Sequence, residues 1–375
     1  MTAVAQHLHR ILLQPETAVG SPEGTPTSAV VLFAEDVAYA QDRGEGLISR
    51  EGLADGRIGE IAGVMGSRGW SISFSQEVGF SGATAAASGY IPPIAYTLLA
   101  SGHYATAVDD GTGGGTENAW DFTPVQSAPI AWEQTAQSWT GAAPDLAAGD
   151  NLAPVGFTFR RFVLTEDQFD TSYTAGSVAG SSVIRWESGQ RAMIEFSGHG
   201  QFVDETIQGG TVLTGLDALG AFDTYTTPAV AKSASITITR NDSSDGSTPS
   251  LNVFACRGLV LNGNQEVVEI PCSASSDGLA PSRVVWGTPT IEFSLGADAT
   301  NVEELSNGYD LGDIFDFSAT IESGQGYIEL SGKFQLDSAP IIEDVDGYAG
   351  FTLTGRLVLD ALNDSDPIYK LRVKP

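Results

Sequence analysis

The amino-acid sequence predicts an all-β protein: an antiparallel β-sandwich with one or two short helices. Three observations carry this. Apolar and polar residues alternate with period two in several runs from about residue 30 to residue 360. The 44 glycines and 17 prolines among 375 residues disfavour long helices and favour short strands joined by turns. Hydrophobic residues make up 42% of the chain, enough for a packed core, while charged residues make up only 17%. The polar surface is therefore built mostly from Ser, Thr, Asn and Gln.

The clearest strand is 70–80, where Trp70, Ile72, Phe74, Val78 and Phe80 share one face and Ser71, Ser73, Ser75 and Glu77 the other. The same alternation marks 194–202, with Glu195, His199 and Gln201 on its polar face. It marks 328–337, with Glu329, Lys333, Gln335 and Asp337 outward, and shorter runs at Ile236/Ile238, Ile291/Phe293/Leu295 and Phe351/Leu353/Leu357/Leu359. A helix is predicted over 92–100. Pro92 and Pro93 suit its first turn, Ile94, Leu98 and Leu99 fall on one face, and Gly102 stops it. A second short helix is predicted at 213–219. The runs 251–261 and 265–272 read as a hairpin about Asn262-Gly263, placing Cys256 and Cys272 near one another as reduced, half-buried thiols.

Two segments stand out by charge. The Gly-rich arm loop 41–68 mixes both signs, and its Arg43, Arg50, Arg57 and Arg68 point to contact with an acidic neighbour. Lys370, Arg372 and Lys374 give the C-terminus a basic tail suited to the same kind of partner. The sequence also echoes itself. Glu187-Ser-Gly-Gln190 precedes Ile194-Glu-Phe-Ser-Gly198, and Glu322-Ser-Gly-Gln325 precedes Ile328-Glu-Leu-Ser-Gly332; a third strand, Phe351-Thr-Leu-Thr-Gly355, also ends in Gly. Either these are turn-strand units of similar composition, or the chain holds two domains, 1–222 and 223–375, with a break at 223–232.

With 47 Asp and Glu against 18 Lys and Arg, the net charge is −29. Such a surface does not grip nucleic acid, since phosphate binding needs cations; it leaves open a protein past which DNA slides. No G-x-S-x-G, H-E-x-x-H or P-loop motif occurs. His7 and His9 form the only close histidine pair, and the Ca²⁺-loop-like 241–252 ends in Asn where a bidentate Glu belongs. No enzyme activity, metal or cofactor is therefore expected. The N-terminus lacks the order of a signal peptide, and no apolar run reaches the ~20 residues of a membrane span. A cytoplasmic product without membrane contact is expected.

Several features together resemble the tail tube (major tail) proteins of tailed bacteriophages. Leu12-Leu-Gln-Pro-Glu16-Thr-Ala-Val-Gly20 with Thr25-Pro26-Thr27 is similar to that family's opening. Ile48-Ser-Arg50 through Gly63, then Trp70 to Gly82, resembles its arm loop and following strand, and Ile94 to Gly102 its short helix. Ser188-Gly189 to Gly198 resembles its turn-strand unit. Lys333-Phe-Gln335-Leu, Glu343-Asp-Val-Asp346-Gly347 and Phe351 to Leu359 resemble its C-terminal strands and turn. The stretch 120–151 departs from the family and reads as an insertion. The resemblance implies a structural virion protein, made in the host cytoplasm, whose rings stack into a hollow tail tube that conducts DNA during ejection. It implies a tail tube fold whose strands join between subunits into a closed inner barrel, in a trimer of duplicated domains or a hexamer. The implied partners are further copies of the chain, the tape measure, terminator and baseplate proteins, and passing DNA without specific binding.

The inner wall is then expected to present Ser71, Ser73, Ser75, Glu77, Glu195, His199, Gln201, Glu329, Gln335 and Asp337. Lys333 is expected to pair with Glu329 or Asp337, or to lie outside the lumen. Two rival readings are a baseplate or surface adhesin using the Trp-rich segment 120–139 as a carbohydrate platform, and a β-sandwich glycan hydrolase.

Overall fold

Alternation becomes strand wherever one face finds a core. In Gly69–Glu77 the side chains of Trp70, Ile72 and Phe74 are buried and those of Ser71, Ser73, Ser75 and Glu77 half-buried. Gln76 sits on the buried face, where its Oε1 accepts a hydrogen bond from the Thr97 hydroxyl. A computed structural model of the chain describes residues 9–16, 30–32, 34–42, 47–51, 60–65, 69–80, 92–109, 111, 119–124, 132–133, 138–139, 151–152, 157–165, 168–207, 227–230, 234–251, 258–271, 279–296, 299–323, 326–345, 348–359 and 367–374. Within these the protein is all-β and antiparallel, and a single hydrophobic cluster runs from Ile11 to Val373. The predicted second helix at 213–219, the division at 222/223, and both cysteines lie outside the described residues.

The pattern of strand pairing recurs along the chain, in two sets of elements here called copies. The first copy runs His9–Pro15, Val30–Leu32, Ala34–Asp42, a ribbon of Leu47–Glu51 with Glu60–Met65, Gly69–Glu77, the helix α1 (Ile94–Ala100), Phe157–Thr165, Gln168–Glu187 and Met193–Ile207. The second runs Ala234–Asn241, Ser250–Leu251, Gly258–Asn262, a ribbon of Gln265–Pro271 with Leu279–Trp286, Thr290–Gly296, the helix α2 (Ala299–Leu311), Ile314–Ser323, Gly326–Leu336 and Tyr348–Leu357. Corresponding strands pair alike in both copies. Ile72 opposes Gly198 and Phe74 opposes Phe196; Ile291 opposes Gly355 and Phe293 opposes Leu353. Both helices end at a glycine with positive φ, Gly102 at 81° and Gly312 at 72°, the conformation a helix C-terminus favours. Gly198 and Gly355 are matched by necessity, because a Cβ on either would collide with the neighbouring strand's carbonyl oxygen, that of Ala179 or Gln335.

The copies correct several sequence expectations. The strand equivalent to 194–198 is 351–355, not 328–332. The arm 41–68 is not wholly a loop, since 47–51 and 60–65 pair as a ribbon. The hairpin expected about Asn262-Gly263 does not form. Gly258–Asn262 pairs with Gln168–Glu187 and Thr290–Gly296, while Gln265–Pro271 leaves to pair with Leu279–Trp286. The chain is turned there by Asn264, at φ 47°, whose N–H donates to the Asn262 side chain at 2.9 Å. The C-terminal residues are no free tail either. Tyr369–Lys374 is a strand between Gly326–Leu336 and Ala119–Pro124. Extra chain in the first copy begins at His103 rather than at 120, and its strands His103–Val108 and Ala119–Pro124 join that same sheet. The helix α2, absent from the sequence reading, tolerates Gly308 because Phe315 packs where a Cβ would stand.

The copies are tied together by a buried polar cluster. The Gln265 amide donates to the Ser101 carbonyl at 2.8 Å and accepts from the Ser182 N–H at 2.8 Å; Trp286 Nε1–H donates to the Gly102 carbonyl at 3.2 Å. His103, fully buried, has Nδ1 3.0 Å from the Leu98 carbonyl oxygen and Nε2 2.6 Å from the Tyr369 hydroxyl. The arrangement suits an Nδ1–H donor with Nε2 accepting from Tyr369. Burial lowers the His103 pKa to about 4, against the opposing Leu98 hydrogen bond. The unfolded chain takes up this proton near pH 6.5. Stability from the neutral ring is therefore complete above pH 6.5 and is lost as pH falls towards 4, by roughly 3 kcal/mol in all. Denaturant titrations at pH 7 and pH 5 should differ by roughly 2 kcal/mol of this, and His103→Gln should flatten the difference.

Candidate functional site: a continuous polar sheet face

Seven strands follow one another edge to edge: Ala34–Asp42, Gly69–Glu77, Met193–Ile207, Gln168–Glu187, Gly258–Asn262, Thr290–Gly296 and Tyr348–Leu357. An eighth position is shared by the end of Gly326–Leu336 and by Glu343–Val345. The run joins the two copies at a single seam, where Val183 to Glu187 oppose Asn262 to Gly258.

Register decides which side chains share a face. Ser71, Ser73 and Ser75 lie opposite His199, Ser197 and Glu195, and Ser197 and Glu195 lie opposite Ser181 and Val183. The same side continues through Arg185, Val260, Glu292 and Thr354 to Arg356 and Gln335. Small hydroxyl residues and carboxylates dominate it, as the alternation predicts.

Arginines also stand on this face, and the sequence reading named none of them. Arg185 Nε donates to Glu195 at 2.9 Å, and a terminal nitrogen of the same guanidinium lies 3.6 Å from Glu187. Arg191, in the turn after Glu187, holds Glu35 at 2.6 Å and Glu77 at 2.5 Å, and these hydrogen bonds raise its pKa. Arg356 lies 3.9 Å from Asp337 and donates to the Gln335 amide oxygen at 3.3 Å. Arg185 could have been found from its phase with Ser181 and Glu187 along one strand. These exposed pairs each contribute no more than about 1 kcal/mol to stability. Their effect is to neutralise cations along a face that stays net acidic.

Other candidates fall elsewhere. Gln201, expected on the open face, is buried, its backbone set between Gly69 and Gly176. Glu329 is separated from the face. Its strand neighbours are Thr320 and Arg372, and its carboxylate accepts from the Ser318 hydroxyl at 3.1 Å. Lys333 stands opposite Asp316 in the ladder, and Asp337 faces Arg356. Arg372 is not a free tail cation: it makes a bidentate pair with Asp121 of its own chain, at 2.6 and 2.7 Å, which raises its pKa. Lys370 lies opposite Ser331, and the Lys374 ammonium sits 5.9 Å from the Tyr327 ring. Arg50 is placed in the ribbon opposite Ile61; Arg43, Arg57 and Arg68 lie outside the described residues.

Among the described residues no group of three or more His, Cys, Asp or Glu could hold a metal ion, and no helix is long and apolar enough to cross a membrane. Comparison with known protein families and with curated proteins returns no match.

Proposed function

We propose that the chain is the tail tube protein of a tailed bacteriophage, whose stacked rings form the channel through which DNA leaves the virion. The observation that carries this reading is the polar face itself. It crosses both copies without a break, is net acidic, and ties Arg185, Arg191 and Arg356 to carboxylates or amides. A wall of this kind repels phosphate weakly and offers DNA few counterion-releasing contacts at which to stall. On this reading the two copies are tandem tube domains, each a β-sandwich with its apolar sheet faces turned inward. The eight-position sheet is the inner layer, facing the lumen. Three chains would bring about twenty-four strands to a closed barrel, beyond the 16–18 that already leave an aqueous channel.

Tape measure, terminator and baseplate proteins are the partners proposed for the tube's interior and ends. The ribbon within 41–68 reaches a neighbouring subunit, with Arg50 and its flanking arginines meeting carboxylates there. Negative-stain microscopy of the purified chain should show rings or tubes; a chain that stays monomeric at every concentration contradicts the reading. Deleting residues 44–66 should leave a folded chain that does not polymerise.

One observation favours a second reading, a surface carbohydrate-binding adhesin. Trp132 and Trp139 lie directly opposite each other in a two-stranded ribbon apart from the main sheet. Glycan binding by a monomer, lost in Trp132→Ala, would support it over the tube.

A further inference from the structure

The seam between the two copies describes how a second chain would dock. At the seam, Gly258–Asn262 receives residues Val183 to Glu187 on its outer edge, and the contact buries Ile184, Trp186, Leu259 and Leu261. By the repeat, the strand equivalent to Gly258–Asn262 is Ala34–Asp42: Tyr39 opposes Ile72 as Leu261 opposes Ile291. Among the described residues Ala34–Asp42 pairs only with Gly69–Glu77, and none of them pairs with its outer edge. The segment equivalent to Val183–Glu187 is 341–345, because Glu343 opposes Gly350 as Arg185 opposes Met193.

In the single chain this second segment is conspicuously incomplete. Residues 338–342 belong to no strand, and Ile341 and Ile342 are 69% and 55% exposed. Their equivalents at the seam are Val183 and Ile184, and Ile184 is 1% exposed. Two adjacent exposed isoleucines in a segment that forms no strand are what an unfilled strand contact leaves behind.

We infer that the partner of this edge is a second copy of the chain. Segment 341–345 of one chain adds to the outer edge of Ala34–Asp42 of the next, in the register of the internal seam. Ile342 then opposes Tyr39, Ile341 opposes Ala40, and Glu343 opposes Ala38. The contact is heterologous, since each chain offers one edge and one segment, so repetition continues the sheet from chain to chain and closes only if the rotation allows. Closure into a ring rests on the tube reading proposed above; the pairwise contact does not.

Paired cysteines test the register. Residues directly opposite in an antiparallel pair have Cα atoms about 4.5–5.5 Å apart, within disulfide reach. Under mild oxidation, Ala40→Cys mixed with Ile341→Cys should give a covalent dimer on a non-reducing gel. Each single variant alone, and the unaltered chain with its own Cys256 and Cys272, should not. The double variant should give a ladder ending at the closed oligomer. Ile342→Asp should abolish association while leaving the thermal midpoint of the monomer unchanged, because that side chain is exposed there.

Rings seen by microscopy without the mixed disulfide would overturn the inferred contact and leave the tube reading standing. The mixed disulfide in short open chains, with no ring or tube, would uphold the contact and overturn the tube reading. A chain that neither associates nor cross-links overturns both.

Discussion

Asp313→Ala is expected to lower the free energy of unfolding by about 3 kcal/mol, the cost of leaving the buried Arg240 Nε–H and Ser243 without their acceptor. The Arg240 side chain is 4% exposed beside an Asp313 side chain that is 0% exposed. Arg240 Nε donates to Asp313 at 2.9 Å, one terminal nitrogen donates to Glu304 at 2.7 Å, and the other lies 3.2 Å from Asp242. Asp313 also accepts from the N–H and hydroxyl of Ser243. Burial alone would raise its pKa, but the Ser243 and Arg240 hydrogen bonds outweigh burial and hold it below the usual carboxylate range. This contribution is present above the unfolded carboxylate pKa of ~3.9 and is lost as pH falls below it. The cluster joins the strand Ala234–Asn241 to α2 and fixes the 242–249 turn. Denaturant unfolding should therefore show the large loss for Asp313→Ala at neutral pH. Asp313→Asn, which can still accept from Ser243, should lose less. Equal stability of Asp313→Ala and the parent chain would remove the cluster from the account.

The second large effect concerns transport. Ser73 and Glu292 occupy the same position in the two copies, each one residue beyond the matched isoleucine and on the polar face. Ser73→Lys together with Glu292→Lys would place six unpaired cations in each ring of three. Tubes should still assemble, but DNA delivery should slow most at low ionic strength. Six phosphate contacts lose about 10³-fold in affinity between 50 and 200 mM salt, so the delay should fade over that range. Delivery at the parent rate from intact tubes at 50 mM salt would take this face out of the lumen. The site is a better probe than Glu77 or Glu195, whose replacement would also take one carboxylate partner from Arg191 or Arg185.

Much of the fold was legible because its strands have one wet face. Trp70, Ile72 and Phe74 alternate with serines, and the predicted strand is there; Gly102 ends the predicted helix with the positive φ that only a glycine adopts easily. What was not legible depended on contacts distant in sequence. The helix α2 carries Gly308, a poor helix former, with Phe315 lying against it. Asn262-Gly263 reads as a hairpin, yet Gln265 is drawn into the Ser101 and Ser182 cluster and the chain departs from its partner.

Of the two later echoes in the sequence, 351–355 rather than 328–332 matches 194–198 in register. Ser-Gly recurs at 331–332 by composition, whereas the matched glycine, Gly355, is fixed by the carbonyl of Gln335 across the sheet. Of the candidate site, the serines and Glu195 could be read from alternation. The arginines that neutralise it could not, because Arg191 lies in a turn and finds Glu35 and Glu77 only through strand pairing.

On the tube reading proposed above, each chain carries two tube units and three chains close one ring. Native mass spectrometry of isolated rings tests it most directly. A mass three times that of the 39.2 kDa chain is expected. A ring of six chains would contradict the two-units-per-chain arrangement, and a chain found only as a monomer would contradict the ring itself.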